Sequence, residues 1–161
     1  MGRQRLVDVE RILSATPRGS LLDVGTGRGE TLEMAASLGF FPVRGTEVVP
    51  ELIGGEVVYA EAHALPFERG QFDVVTCFDV MEHLIADDLI AALSEMGRVS
   101  ARQVLMSWSE IPSSEWGGGR DLHISRRSAS EAETLIRKAL PDWSIERRGT
   151  AGGSPAWALT R

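Results

Sequence analysis

The segment that most constrains this chain is Leu21 to Glu30, Leu-Leu-Asp-Val-Gly-Thr-Gly-Arg-Gly-Glu, an apolar strand that runs into three alternating glycines and then an acidic residue where a helix should begin. Glycines at 25, 27 and 29 let the backbone turn sharply and lie against a nucleotide-sized ligand without interference from Cβ atoms. A dinucleotide fingerprint needs Gly-x-Gly-x-x-Gly and a helix N-terminus aimed at phosphates. Here Gly29 comes one residue early and Glu30 places negative charge where the phosphates would sit. The loop is suited to a cation, which counts against a nicotinamide-dependent oxidoreductase.

The distribution of charge agrees. Residues 1–100 hold 16 acidic and 8 basic side chains, whereas residues 101–161 hold 7 acidic and 9 basic, for a net charge of −6. The acidic half contains the glycine loop and complements a cationic ligand. The overall negative charge opposes sequence-independent binding to nucleic acid, which depends on neutralising phosphates. With 161 residues, 43% of them hydrophobic, the expectation is one domain spanning 1–161. Arg3 and Arg5 begin an amphipathic stretch rather than a signal peptide, and no apolar run reaches the roughly 20 residues of a membrane span, so a cytoplasmic location is expected. The single cysteine, Cys77, lies in an apolar strand pattern and reads as a buried thiol.

Along the chain, helical and strand patterns alternate, which predicts an α/β three-layer sandwich with a mostly parallel central sheet. Leu6, Val9, Ile12 and Leu13 form one helical face of an N-terminal helix within 1–19, ended by Thr16-Pro17-Arg18-Gly19. Strands are predicted at Ser20–Val24, within Phe41–Val49, at Phe72–Phe78 and at Gln103–Trp108, with helices after the glycine loop and from Leu89 to about Arg98. Ser128 and Glu131 make a capping box that opens a helix stopped by Pro141. Ser144–Arg148 and Ala156–Thr160 are expected to pair as an antiparallel C-terminal hairpin. Only seven residues separate Val49 from Val57, too few for a crossover helix, so the sheet is expected to be shortened between its second and third strands.

Four motifs now stand in order. Asp23-Val-Gly-Thr-Gly-Arg-Gly29 is followed by Thr46-Glu47, by Glu61-Ala-His-Ala-Leu-Pro-Phe67 with the strand Gln71-Phe-Asp-Val-Val75, and by Phe78-Asp-Val-Met-Glu-His-Leu84. Together they resemble the class I (Rossmann-like) S-adenosylmethionine (SAM) dependent methyltransferase family, of the small methyltransferase-11-like type. The resemblance implies SAM as cofactor and cofactor-binding roles for Asp23, Gly25, Thr26, Gly27, Gly29, Glu47, Glu61, Ala62, Phe78 and Asp79. Glu47 takes the ribose position, Glu61 and Ala62 lie beside the adenine, and Phe78 and Asp79 border the methionine. Its function would be methyl transfer by in-line displacement to a small-molecule or other acceptor; the alternative is a SAM-binding sensor or partner subunit without transfer activity.

Catalysis is less legible. His83 closes the loop after the fourth strand and is the candidate general base; a helix-start histidine bonded to backbone is the equal alternative. Residues 107–127 form the expected substrate-side loop, with Trp108, Trp116 and His123 as candidate acceptor-side residues and Gly117-Gly-Gly119 as a hinge. A loop whose tryptophans merely cover the sheet fits the sequence equally well. The acceptor site would be shallow unless the N-terminal helix or a second subunit of a homodimer completes it. Spacing along the chain shows no metal-ligand cluster.

Overall fold

The computed structural model describes residues 2–113 and 121–161. Its elements are α1 (Gly2–Ser14), β1 (Leu21–Val24), α2 (Glu30–Ser37), β2 (Val43–Glu47), β3 (Val57–Tyr59), β4 (Phe72–Cys77), α3 (Leu89–Val99), β5 (Ser100–Ser107), α4 (Ala129–Ala139), β6 (Ser144–Ala151) and β7 (Ser154–Thr160). The seven strands form one sheet in the order β3-β2-β1-β4-β5-β7-β6. Every pairing from β3 to β5 is parallel, while β7 runs antiparallel between β5 and β6. The hairpin turns at Gly152-Gly153, because β6 runs on to Ala151 and β7 begins at Ser154, both beyond the expected strand ends.

The third strand is present. β3 has only three residues and pairs in parallel with β2, Gly45 against Val57. A 3₁₀ turn, Pro50–Leu52, stands where a longer chain would have a crossover helix. An edge strand without that helix is exposed on its outer face, and Tyr59 accordingly lies in solvent.

Two apolar clusters hold the layers. On one face of the sheet, Val9, Ile12 and Leu13 of α1 and Leu32 and Ala35 of α2 pack with Leu21, Val74, Phe78 and Leu105. On the other, Leu93 and Met96 of α3 and Ala132 and Ile136 of α4 meet Leu22, Val75, Val104, Trp108 and Trp157. Strand residues alternate between faces, so neighbours such as Leu21 and Leu22 serve different clusters. The helix register is held at α4 by the expected capping box: the Ser128 hydroxyl accepts from the Glu131 amide at 3.3 Å, and the Glu131 carboxylate accepts from the Ser128 amide at 2.9 Å.

The sheet order reverses between β1 and β4: β1 leads outward to β2 and β3, and β4 to β5 on the other side. In an open α/β sheet that reversal leaves a crevice beyond the carboxyl ends of the strands. Among the described residues no helix is long and apolar enough to cross a membrane.

Candidate functional site

A cavity of about 400 Å³ opens at this reversal. Its wall is drawn from the carboxyl ends of four strands: Val24, Gly25 and Gly27 after β1, Glu47 and Val48 at β2, Ala60 and Ala62 after β3, and Asp79, Val80, His83 and Leu84 after β4. Its size lies in the range that holds a small-molecule ligand.

The glycine loop is tied down from below. The amides of Gly25 and Thr26 both donate to the Thr46 carbonyl at 2.9 Å, and the Gly27 amide donates to Glu47 Oε2 at 2.8 Å. Gly25 has φ 69°, and a Cβ built on it would lie 2.5 Å from a methyl of Val80. Gly27 has φ 56° and open space where its Cβ would be, on the cavity side. Either position disfavours any L side chain through its backbone, and Gly25 through its packing as well.

Glu47 is 8% exposed and uses both carboxylate oxygens on backbone. Oε1 accepts from the amides of Val48 at 2.7 Å and Val49 at 3.1 Å, while Oε2 holds Gly27. A loosely solvated carboxylate is therefore not what stands here. Oε1 is filled by its two amide donors, whereas Oε2 keeps a second lone pair, and Glu47 forms part of the wall.

Asp23 lies beneath the loop rather than in the wall, accepting from the Thr76 hydroxyl at 2.5 Å. Burial pushes its carboxyl up to about 6, against the opposing hydrogen bond of Thr76 and the Arg5 charge. Thr26 and Gly29 also stand behind the wall, Gly29 as the residue preceding α2. Glu61 is exposed at the rim, where its carboxylate meets the Tyr59 hydroxyl at 3.4 Å and His63 Nε2 at 3.4 Å; Ala62 beside it is in the wall.

Two aromatic assignments are corrected. Phe78 does not border the cavity: its side chain is buried with Val9 and Leu13 between the sheet and α1. Trp108 is 0% exposed, packs in the α3/α4 cluster and donates from Nε1 to the Ser125 carbonyl at 2.7 Å, so it is a core residue and not a substrate-side one. At the end of a strand, a side chain one residue further along faces the opposite layer, and its own apolar character does not reveal which. Trp116 and Gly117-Gly-Gly119 lie outside the described residues.

Asp79 is the one non-glycine residue with positive φ among those described, 58°, at the turn out of β4. Its amide donates to Ser107 Oγ at 3.1 Å, and its carboxylate pairs with Arg5 Nε at 2.5 Å. Arg5 also approaches Glu30 at 3.7 Å, so α1 is tied both to Asp79 of the wall and to the start of α2. Sequence reading missed Arg5 because nothing local ties an N-terminal helix to a loop after the fourth strand. A left-handed aspartate costs conformational energy and is the kind of strain that collects at ligand sites.

The turn Met81–His83 brings a second polar group together. His83 is in the wall with its ring half-buried; its Nδ1 bonds the Leu122 carbonyl at 3.1 Å. A carbonyl only accepts, so Nδ1 carries the proton and Nε2 the lone pair. Burial of the ring, opposed by that carbonyl, holds His83 below the ordinary histidine value. His123 stacks edge-on against it, with ring centroids 4.9 Å apart, and its Nδ1 bonds the Ile111 carbonyl at 2.8 Å. Glu82 lies beneath, 1% exposed, with burial pushing its carboxyl up to about 7 against neighbouring backbone amides. Glu82, His83 and His123 thus converge, although their distance in sequence concealed it. Cys77 is buried and free, and burial pushes its thiol up, as suits a structural residue.

The chain matches the family model of the methyltransferase domain over residues 3–149. A comparison with curated proteins returned no match. Among solved structures it is similar to a protein of Pyrococcus horikoshii OT3, with a TM-score of 0.82 and 19% identity over 99% of this chain and 90% of that one. It is similar to the magnesium protoporphyrin IX methyltransferase of Synechocystis PCC 6803 with bound SAM, with a TM-score of 0.71 and 19% identity over 99% and 79%. A SAM-dependent methyltransferase from Aquifex aeolicus gives 0.72 and 16% over 99% and 91%.

Proposed function

Because the chain belongs to the methyltransferase-domain family and has the class I SAM-dependent methyltransferase fold, we propose that it moves a methyl group from SAM to a small-molecule acceptor, with the donor held in the cavity at the strand reversal. The observation that carries this reading is the pairing of a glycine cradle with two acidic side chains, Glu47 and Asp79, in one cavity wall. The open space at Gly27 admits a ligand against the backbone, and the acidic wall complements a molecule bearing a sulfonium and an ammonium. Bound there, the cofactor supplies a methyl group on a positively charged sulfur that is a good leaving group.

The chain's own residues hold and orient. Glu47 keeps an Oε2 lone pair for a ribose hydroxyl while fixing the loop through Gly27. Ala60 and Ala62 supply a flat apolar wall on the adenine side, Glu61 standing at its rim. Asp79 faces the methionine end, where Arg5 offers a cation for a carboxylate. Asp23 supports the loop from beneath. Since transfer needs mainly alignment, most of the rate comes from positioning. His83, with Nε2 free in the wall, is the residue placed to accept a proton from an O–H or N–H acceptor. His123 stands at the acceptor side. Arg5 ties the N-terminal helix to Asp79 of the cavity wall. A cytoplasmic location belongs to the same reading, since the donor is made and regenerated inside cells.

Calorimetric titration with SAM and with its demethylated product, followed by a methyl-release assay on a pool of metabolites, tests this. Binding with release supports transfer. Binding without release on any acceptor favours a SAM sensor, and absence of binding removes both.

A further inference from the structure

Glu82 Oε2 is buried and has no hydrogen-bond partner. A buried carboxylate oxygen left unpaired is costly, and in a native fold it calls for a reason. Around it the structure brings together His83 from the turn after β4 and His123 from the segment before α4. One donor atom from each of the three residues lies within 4.8 Å of the other two. The two segments are stitched together: the Ser125 amide donates to the Glu82 carbonyl at 2.9 Å, and Trp108 Nε1 donates to the Ser125 carbonyl at 2.7 Å. Both imidazoles give their Nδ1 protons to backbone carbonyls, of Leu122 and of Ile111, which leaves Nε2 of each as an acceptor. Outer carbonyls that fix tautomer and ring orientation are the usual support of metal-binding histidines.

The geometry points to a binding site for one divalent transition-metal ion, with Glu82, His83 and His123 as its ligands. Two imidazoles and one carboxylate suit Zn²⁺, Co²⁺ or Ni²⁺, whereas Mg²⁺ and Ca²⁺ favour all-oxygen shells. With bonds of about 2.0–2.2 Å, tetrahedral ligands sit roughly 3.3 Å apart. The 4.8 Å spread is therefore an open shell that closes by small shifts of the Glu82 carboxylate and of the two segments that carry the histidines, the Nδ1–carbonyl bonds being kept. The ion takes the Nε2 lone pair that otherwise accepts a proton, and Asp79 nearby adds negative charge. Three protein ligands leave a coordination position, and His83 is the ligand that borders the cavity. An acceptor presenting an oxygen or nitrogen donor binds there. This last assignment rests on the methyl-transfer reading; metal binding does not.

Protein stripped with a chelator and desalted is titrated with Zn²⁺ alone by calorimetry and with Co²⁺ alone by visible absorption. One equivalent of Zn²⁺ with micromolar or tighter affinity is expected, together with the d–d bands of low-symmetry Co²⁺. His83→Gln, His123→Gln and the isosteric Glu82→Gln should each weaken Zn²⁺ binding at least about tenfold, the lower end of what losing even an outer-shell partner costs. His63→Gln, at the separate Glu61/Asp88 surface pair, should change nothing. Circular dichroism checks that each variant folds; with three ligands tested, one misfolded variant leaves two readouts. No saturable one-equivalent binding, or affinity unchanged in the folded ligand variants, overturns the site. SAM binding by the metal-free wild type is measured separately: its failure alongside Zn²⁺ binding removes the methyl-transfer reading and leaves the metal site, and the reverse result does the opposite.

Discussion

Replacing Glu47 is the sharpest probe of the cavity, because the carboxylate does two things at once. It holds three backbone amides, of Gly27, Val48 and Val49, at 2.7–3.1 Å, and it keeps one Oε2 lone pair for a ligand in the cavity. In Glu47→Ala the freed amides sit beside solvent or the open cavity, where water replaces the lost acceptor, so the fold survives with a modest loss of stability. Ligand affinity is another matter. A hydrogen bond to a charged group is worth about 1.5–3 kcal/mol, so loss of the ribose contact lowers SAM affinity about 10- to 150-fold. Glu47→Gln should be no milder. Both carboxylate oxygens accept from N–H groups, so the amide NH₂ of glutamine must face a donor on one side or the other. Calorimetry with both SAM and its demethylated product separates ribose recognition from simple charge attraction. The product lacks the sulfonium charge and keeps the ribose, so both ligands should weaken by similar factors. If a folded Glu47→Ala variant binds either ligand within threefold of wild type, Glu47 is not the ribose ligand and the loop anchoring is its whole role.

Other outcomes follow from the same geometry. Gly27→Val should abolish SAM binding, since it puts a β-branched side chain into the cavity and demands a φ near 56°; retained binding would contradict the loop assignment. Trp108→Phe should lower stability by about 1–3 kcal/mol, by leaving the buried Ser125 carbonyl unpaired, with SAM affinity unchanged; chemical denaturation that shows no loss would return Trp108 to the acceptor side. Asp23 sets a pH dependence. Its folded carboxyl sits near 6, above the usual 3.8, so the folded state prefers the protonated form and this group's contribution is fully present below pH 3.8. It is lost as pH rises through about 6, a total of ~3 kcal/mol. Asp23→Asn should therefore gain stability relative to wild type between pH 4 and pH 8, and a difference independent of pH would show that the buried carboxyl is not raised.

Much of the architecture was legible because it is written locally. The apolar run Leu21–Val24, the positive-φ glycines that follow it, the capping box at Ser128 and the turn residues at Gly152-Gly153 each act within a few residues of themselves, and the alternation of periods implies a parallel sheet. The strand ending at Glu47 was legible for the same reason, but the bond from the Gly27 amide to its carboxylate depends on β2 lying beside β1. The connection from Val49 to Val57 is visibly too short for a crossover helix, yet only pairing with β2 shows that three residues still make a strand. What tertiary structure decided is which layer each strand-end side chain enters and which loops meet. Phe78 and Trp108 look like pocket aromatics in sequence; the sheet face they occupy sends both into the core. Arg5 reaches Asp79, and His123 reaches His83 and Glu82, across separations that no periodicity encodes, because those meetings depend on strand order, and strand order is set by the packing of whole layers rather than by any residue's neighbours.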